Sequence, residues 1–243
     1  MTDPYKNIQS WLTIPDPTQL LLTRDQQGNC ALLAGQFDVG DTKPWVWDSF
    51  VFVKEVGLAW QQLCLGKEWL ILTSAQSAKF FFEDVDLRWL QGIKIACVGP
   101  VTAECVQSYG VNVDLIATEH SAKGLSQEAV FQNSKGLQIL HLQPEDGRPD
   151  FVEALQHKHQ IQIVSHYRKE FLPLPAEILA KLVQQQITIV LFYSPSVVRA
   201  FHAAVAGVAG LFESLQFAVI GQSTKDEVES LGGRVQYFPN MPN

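Results

Sequence analysis

The stretch ACVGPVTAECVQSYG (residues 96–110) is written a second time, in different letters, as AVIGQSTKDEVESLG (218–232). Each is a short apolar run, a Gly, two residues, a Thr, and then helical spacing closed by a Gly. Gly99 and Gly221 lie 122 positions apart, and so do Thr102 and Thr224. A chain that repeats one strand–turn–helix phrase half its length away is constrained to build the same local unit twice.

The echo extends further. EWLILTSAQSAKFF (68–81) is matched by ITIVLFYSPSVVRAF (187–201), with Ser74 and Ser194 at an offset of 120. Each half therefore reads strand–Ser turn–helix, then strand–Gly-x-x-Thr turn–helix. The other short apolar runs are LLLT (20–23), VNVDLIA (111–117), LQILHL (137–142), IQIVSHY (161–167) and RVQYF (234–238). LLLT is followed by weakly helical spacing to about Gly35. Helical spacing also separates later runs, as in Phe151, Leu155 and His159, or Ile178, Leu182 and Val183. Continuous apolar strands alternating with helices are the pattern of a parallel sheet covered on both faces. The expected fold is α/β, as two similar domains; one doubly wound sheet with a chance echo is the alternative. Residue patterns alone leave open which half the first strand joins.

Composition removes several function classes. A hydrophobic fraction of 47% in 243 residues supports a core in each half. No apolar run approaches the ~18 residues that span a bilayer. Residues 1–17 lack a basic start and a long apolar stretch, so they read as a surface extension rather than a secretion signal. A formal net charge of −7 argues against nonspecific nucleic-acid binding. Cys30, Cys64, Cys97 and Cys105 have no close pairing; reduced, buried thiols and a cytoplasmic location are expected. His141, His157, His159, His166 and His202 show no metal-ligand spacing, and His157 and His159 read as surface residues. No dinucleotide fingerprint, phosphate-loop lysine or nucleophile elbow occurs.

What remains is the set of turns at 73–76, 99–102, 193–196 and 221–224. In parallel α/β sheets these lie at the strands' carboxyl ends, where ligands bind. A helix starting there points unpaired N–H groups outward and favours anions. Ser74, Thr102, Ser194 and Thr224 add hydroxyls. Taken singly, each of them is more commonly a helix cap than a ligand contact; four at equivalent positions favour an anion site.

Several segments together resemble the uroporphyrinogen-III synthase family: Thr23-Arg24, LTSAQSA (72–78), VGPVTAE (98–104), HSAKGL (120–125), GRPDFVEAL (147–155), SHYRKE (165–170), YSPSVVRAF (193–201) and IGQSTKDEV (220–228). The resemblance implies two flavodoxin-like α/β domains joined by a two-stranded connector, with a cleft between them. One domain would comprise residues 18–37 plus 169–243 and the other 40–166. It implies cyclisation of hydroxymethylbilane, a linear tetrapyrrole bearing eight carboxylates, with loss of water and inversion of the last ring through a spiro intermediate. No metal or organic cofactor is implied, and a monomer with no nucleic-acid or membrane partner is expected. Tyr167 matches the family's junction tyrosine, as the catalytic group; the alternative is a ring that packs the sheet edge. Thr102 and Thr224 match its two turn threonines, and Ser74, Ser121, Gly124, Ser194 and Ser196 other binding-loop positions. Arg24 and Arg148 are candidate carboxylate partners, or surface arginines paired with a nearby Asp. Gln143-Pro144, Tyr193 and Lys225 depart from the family pattern. A non-catalytic binder of an anionic tetrapyrrole, and a flavodoxin-like or nucleotide-binding module, are the rival readings.

Overall fold

The computed structural model describes residues 12, 14, 16–23 and 42–239. Its strands are β1 (Leu20–Leu22), β2 (Trp45–Val46), β3 (Phe50–Lys54), β4 (Trp69–Leu72), β5 (Lys94–Cys97), β6 (Leu115–Ile116), β7 (Gln138–Pro144), β8 (Gln160–Phe171), β9 (Ile189–Phe192), β10 (Gln216–Val219) and β11 (Arg234–Tyr237). They form two sheets, ordered β11-β10-β9-β1-β2 and β3-β8-β7-β4-β5-β6. The chain divides into two compact units, residues 1–51 with 170–243, and residues 52–169.

In the first unit β1 lies between β9 and β2, with Leu20 paired to Ile189 and Leu21 to Trp45, all parallel. Taken in chain order, its strands have the 2-1-3-4-5 arrangement of a flavodoxin-like sheet. The middle unit uses the same neighbourhood, β8-β7-β4-β5-β6, but its chain enters at β4, so the order is circularly permuted. β3 is added beyond β8. The α/β expectation holds.

The repeated phrases fold identically. Strand Lys94–Cys97 and helix Pro100–Ser108 correspond to strand Gln216–Val219 and helix Gln222–Ser230, every boundary shifted by 122 positions. The helices end at Gly110 and Gly232, whose φ values of 76° and 87° are the left-handed conformation that favours glycine at a helix stop. The Ser-turn phrases likewise give strand Trp69–Leu72 with helix Ala75–Asp84, and strand Ile189–Phe192 with helix Pro195–Val205.

Continuous apolar runs arise because both faces of each sheet are covered. In the middle unit Leu70, Leu72, Ile95, Cys97, Leu140 and Leu142 face Phe81, Ala103 and Val106. Their strand neighbours Trp69, Ile71, Ala96 and Ile139 face Leu125, Phe131, Phe151 and Leu155. Each fully buried side chain of this size contributes about 1.5–3 kcal/mol, so one polar face would forfeit half the core.

Several expectations need correction. Leu12, inside the segment read as a surface extension, is itself buried: it is 1% exposed and packs with Leu20, Leu22, Ile189 and Leu191. His159 lies beyond the helix Asp150–Leu155 and is buried. Its Nε2 donates to the Phe131 carbonyl at 2.8 Å, and its Nδ1 accepts from Leu137 N–H at 3.3 Å, tying a helix to the start of β7. His157 is exposed, as expected. The 111–117 run yields only two strand residues, and beside them Asp114 accepts from the Ile95 N–H through its carboxylate at 2.8 Å. Strands β2 and β3 were not anticipated. Cys64, Cys97 and Cys105 are free thiols, while Cys30, the weakly helical stretch to Gly35 and Arg24 lie outside the described residues.

Candidate functional site

In the middle unit the chain leaves β4 at Ser74, β5 at Gly99 and β7 at Pro144, all along the carboxyl edge of the parallel sheet. Ser74 is the N-cap of helix Ala75–Asp84, with φ −155° and a hydroxyl that accepts from Ser77 N–H at 3.0 Å. The same hydroxyl lies 3.0 Å from the Tyr167 phenol oxygen. Tyr167 is 5% exposed, its ring edge-on to Phe52 and Phe80 at 5.7 and 5.6 Å. Ring packing and a placed hydroxyl therefore occur together in this residue.

A break in strand register places it. Gln143 pairs with Ser165 and Pro144 with Tyr167, so β8 carries one extra residue, His166, at a bulge. Regular strand neighbours point to opposite faces, and a bulge re-aims one of them. Here His166 and Tyr167 are both buried and both meet helix Ala75–Asp84. Burial raises the phenol's pKa above the ordinary tyrosine value, the Ser74 hydrogen bond opposes this, and the Asp146 charge adds to it. The phenol is thus a proton-bearing donor throughout the neutral range.

The other candidates divide by what their hydroxyls already do. Ser121, like Ser74, is an occupied cap: it accepts from Gly124 N–H at 2.8 Å and lies 3.2 Å from a Glu119 carboxylate oxygen. Thr102 and Thr224 are not caps. They sit at the third helical position, buried, behind Gly99 and Gly221, which cap without a side chain. Neither glycine is conformationally demanded, since φ is −173° and −127°. Among the described residues, chain neighbours aside, no atom lies within 4 Å of where a Gly221 Cβ would sit. Ser194 begins helix Pro195–Val205 without capping it, and its hydroxyl lies 3.2 Å from that of Ser196. Arg148 is exposed and forms no ion pair among the described residues.

Gly124 has a packing reason to be glycine. A Cβ there would lie 2.2 Å from the Glu119 carbonyl oxygen and 2.6 Å from the Glu119 Cβ. Gly124→Ala must push backbone apart and is expected to cost about 1–3 kcal/mol. A Cβ at Gly99 meets only His120 at 3.5 Å, an ordinary contact. Chemical denaturation of the two alanine variants checks the difference, and equal midpoints would remove the steric account.

Nucleophilic thiol chemistry is disfavoured here. Burial pushes the Cys97 thiol up to about 12 and the Cys64 thiol to about 11, so both stay protonated. Among the described residues no cluster of three or more His, Cys, Asp or Glu could hold a metal ion. No described helix is long and apolar enough to cross a membrane. Sequence reasoning missed His166, and no local signal marked it, because its placement depends on the bulge.

Two α/β units, each a mostly parallel sheet with helix starts along its carboxyl edge, and a phenol fixed at one of those edges, define a protein of flavodoxin-like architecture. The family model for uroporphyrinogen-III synthase HemD matches residues 52–243. The chain belongs to the uroporphyrinogen-III synthase family, cyclising lyases of tetrapyrrole biosynthesis. Its fold is similar to the uroporphyrinogen-III synthetase of Helicobacter pylori, with 15% identity, TM-score 0.61 and 93% of each chain covered. It is also similar to a selenomethionine-labelled mutant uroporphyrinogen III synthase of the extreme thermophile Thermus thermophilus, with 14% identity and TM-score 0.59, covering 92% of this chain and 93% of that one. No curated protein matches the chain by sequence.

Proposed function

We propose that this chain closes hydroxymethylbilane with inversion of the last ring, with Tyr167 as the acid that assists loss of water. The carrying observation is the Tyr167 phenol, 3.0 Å from the Ser74 hydroxyl at the carboxyl edge of β4, in a member of this family. When the Ser74 O–H donates to the phenol oxygen, the phenol's own proton is free to point at the substrate. Breaking the C–O bond of the terminal hydroxymethyl group needs a proton on the departing oxygen, which leaves as water. The pyrrole nitrogen lone pair fills the vacated carbon, making the electrophile that the last ring attacks. A protonated, buried phenol suits the acid's part.

The remaining work is holding a flexible polyanion. The uncapped helix starts at Gly99, Ser194 and Gly221 supply N–H groups to carboxylates, and Thr102, Ser196 and Thr224 stand beside them. The Ser121–Gly124 turn and Arg148 supply further anchors, as does Arg24. Restricting the chain ends to one approach is worth several kcal/mol against the unguided closure that competes with it. The three free thiols among the described residues suit the reducing cytoplasm, where the enzyme acts as a monomer.

Two measurements test this. Freshly generated hydroxymethylbilane is incubated with the protein and the cyclised product is oxidised and separated by isomer. Predominant isomer III, against isomer I in the enzyme-free control, is expected. Isomer I alone at the uncatalysed rate would reduce the protein to a binder of anionic tetrapyrroles. Second, Thr102→Val, which keeps the buried shape and removes the hydroxyl, is expected to raise KM about tenfold, the worth of one hydrogen bond to a charged group. An unchanged KM would leave Thr102 a packing residue.

A further inference from the structure

We infer that His166 is a positioning residue for the Tyr167 phenol, acting through Ser77 and Ser74; this rests on the acid role proposed above. His166 is fully buried in the middle unit, edge-on to Trp60 at 5.9 Å and to Tyr167 at 5.1 Å. Its Nε2 lies 3.1 Å from the Ser77 carbonyl oxygen and 3.3 Å from the Ser77 hydroxyl. A carbonyl oxygen only accepts, so Nε2 carries the ring proton and donates. Burial lowers the imidazole's pKa, which keeps this single-proton form at neutral pH.

Ser77 is the link. Its N–H donates to Ser74 Oγ at 3.0 Å, and Ser74 Oγ lies 3.0 Å from the phenol oxygen. His166 therefore grips the first turn of helix Ala75–Asp84 at the residue whose amide fixes the Ser74 hydroxyl. The bulge brings both ends of this relay from adjacent residues of β8 onto one helix. The His166 carbonyl also accepts from Glu55 N–H at 2.8 Å, pinning the bulged residue to the segment after β3. A buried imidazole N–H needs an acceptor in any case; what singles this one out is that its acceptor, Ser77, also holds the Ser74 hydroxyl through its amide. This one sets where the phenol's partner sits, and with it the phenol's proton.

The test compares replacements that differ in reach. The amide nitrogen of His166→Gln reaches the position of Nε2, whereas that of His166→Asn stops short, at the position of Nδ1. We expect kcat in His166→Gln within about twofold of the wild type. In His166→Asn, and in the apolar His166→Leu, kcat falls about tenfold, the worth of one hydrogen bond, with KM little changed. Each variant is assayed below its melting temperature. In a Tyr167→Phe background the replacements are expected to cost nothing further, because the group they position is gone. Equal kcat in the Gln variant and in either the Asn or the Leu variant, or the same loss in both backgrounds, would overturn the inference while leaving the acid role intact. Tyr167→Phe turning over at the wild-type rate would instead remove the acid role, and the positioning role with it.

Discussion

Tyr167→Phe is expected to slow ring-inverting cyclisation about 100-fold, at the lower end of what a positioned acid supplies. The substitution is narrow. Phenylalanine keeps the edge contacts to Phe52, Phe80 and His166, and Ser74 still accepts from Ser77 N–H, so the cap and the fold survive. KM should stay near its original value, since the proposed acid role sets the phenol against the departing hydroxyl rather than the carboxylates. Because hydroxymethylbilane also closes unaided, a slow enzyme shows a second symptom: the product shifts toward isomer I. Single-turnover rates and the isomer ratio are read from one sample. A full rate with unchanged isomer III would exclude the phenol from the chemistry. The raised phenol pKa has a further consequence: the acid form persists above the ordinary tyrosine range, so phenol ionisation does not limit activity near neutrality.

The second large effect concerns stability in acid. His141 sits in the centre of β7, 1% exposed, paired in register with Ile71 and 5.3 Å from the Phe151 ring. Neither of its ring nitrogens has a hydrogen-bond partner among the described residues. Burial drives its pKa down to about 4 from 6.5. The unfolded chain takes up this proton as pH falls through about 6.5, while the folded chain refuses it until about 4. Between those values the unfolded state binds more protons, so stability falls as pH falls. The loss is about 2 kcal/mol by pH 5, a large share of a marginal total. His166, lowered in the same direction by burial, adds to it. His141→Leu should remove most of this pH dependence and stabilise the protein at pH 7 as well, because an unpaired polar ring leaves an apolar site. Urea titrations at pH 7 and pH 5 check both; a variant as acid-sensitive as the parent would sink the assignment.

The two phrases that opened the sequence were legible because each element's instruction is local. An apolar run of four or five residues can be a strand only if both faces are covered, and a Gly after helical spacing marks its stop. β3 was overlooked although FVFVK, at residues 50–54, alternates aromatic and β-branched residues as an edge strand should. Leu12 and His159 mislead for another reason: Leu12 precedes the first strand, the spacing through His159 runs past the actual helix end at Leu155, and burial outside helices and strands leaves no pattern. Hydroxyl roles were hidden too. Ser74 and Ser121 occupy the cap position, whereas Thr102 and Thr224 lie inside the first turn, a difference of a few residues in where a helix begins. Sequence spacing does not fix helix starts that finely.

The sequence by itself determined the α/β class, the doubled strand–turn–helix unit, and the set of strand-to-helix turns from which the proposed anion site is drawn. Periodicity and turn chemistry act over a few residues, so they are written where they operate. Only the tertiary structure decided that Leu20 lies beside Ile189, that Tyr167 meets Ser74 from 93 positions away, and that a bulge turns His166 and Tyr167 toward one helix. Those choices follow from register and packing between distant segments, where the free energy depends on which surfaces meet and no single stretch carries the answer.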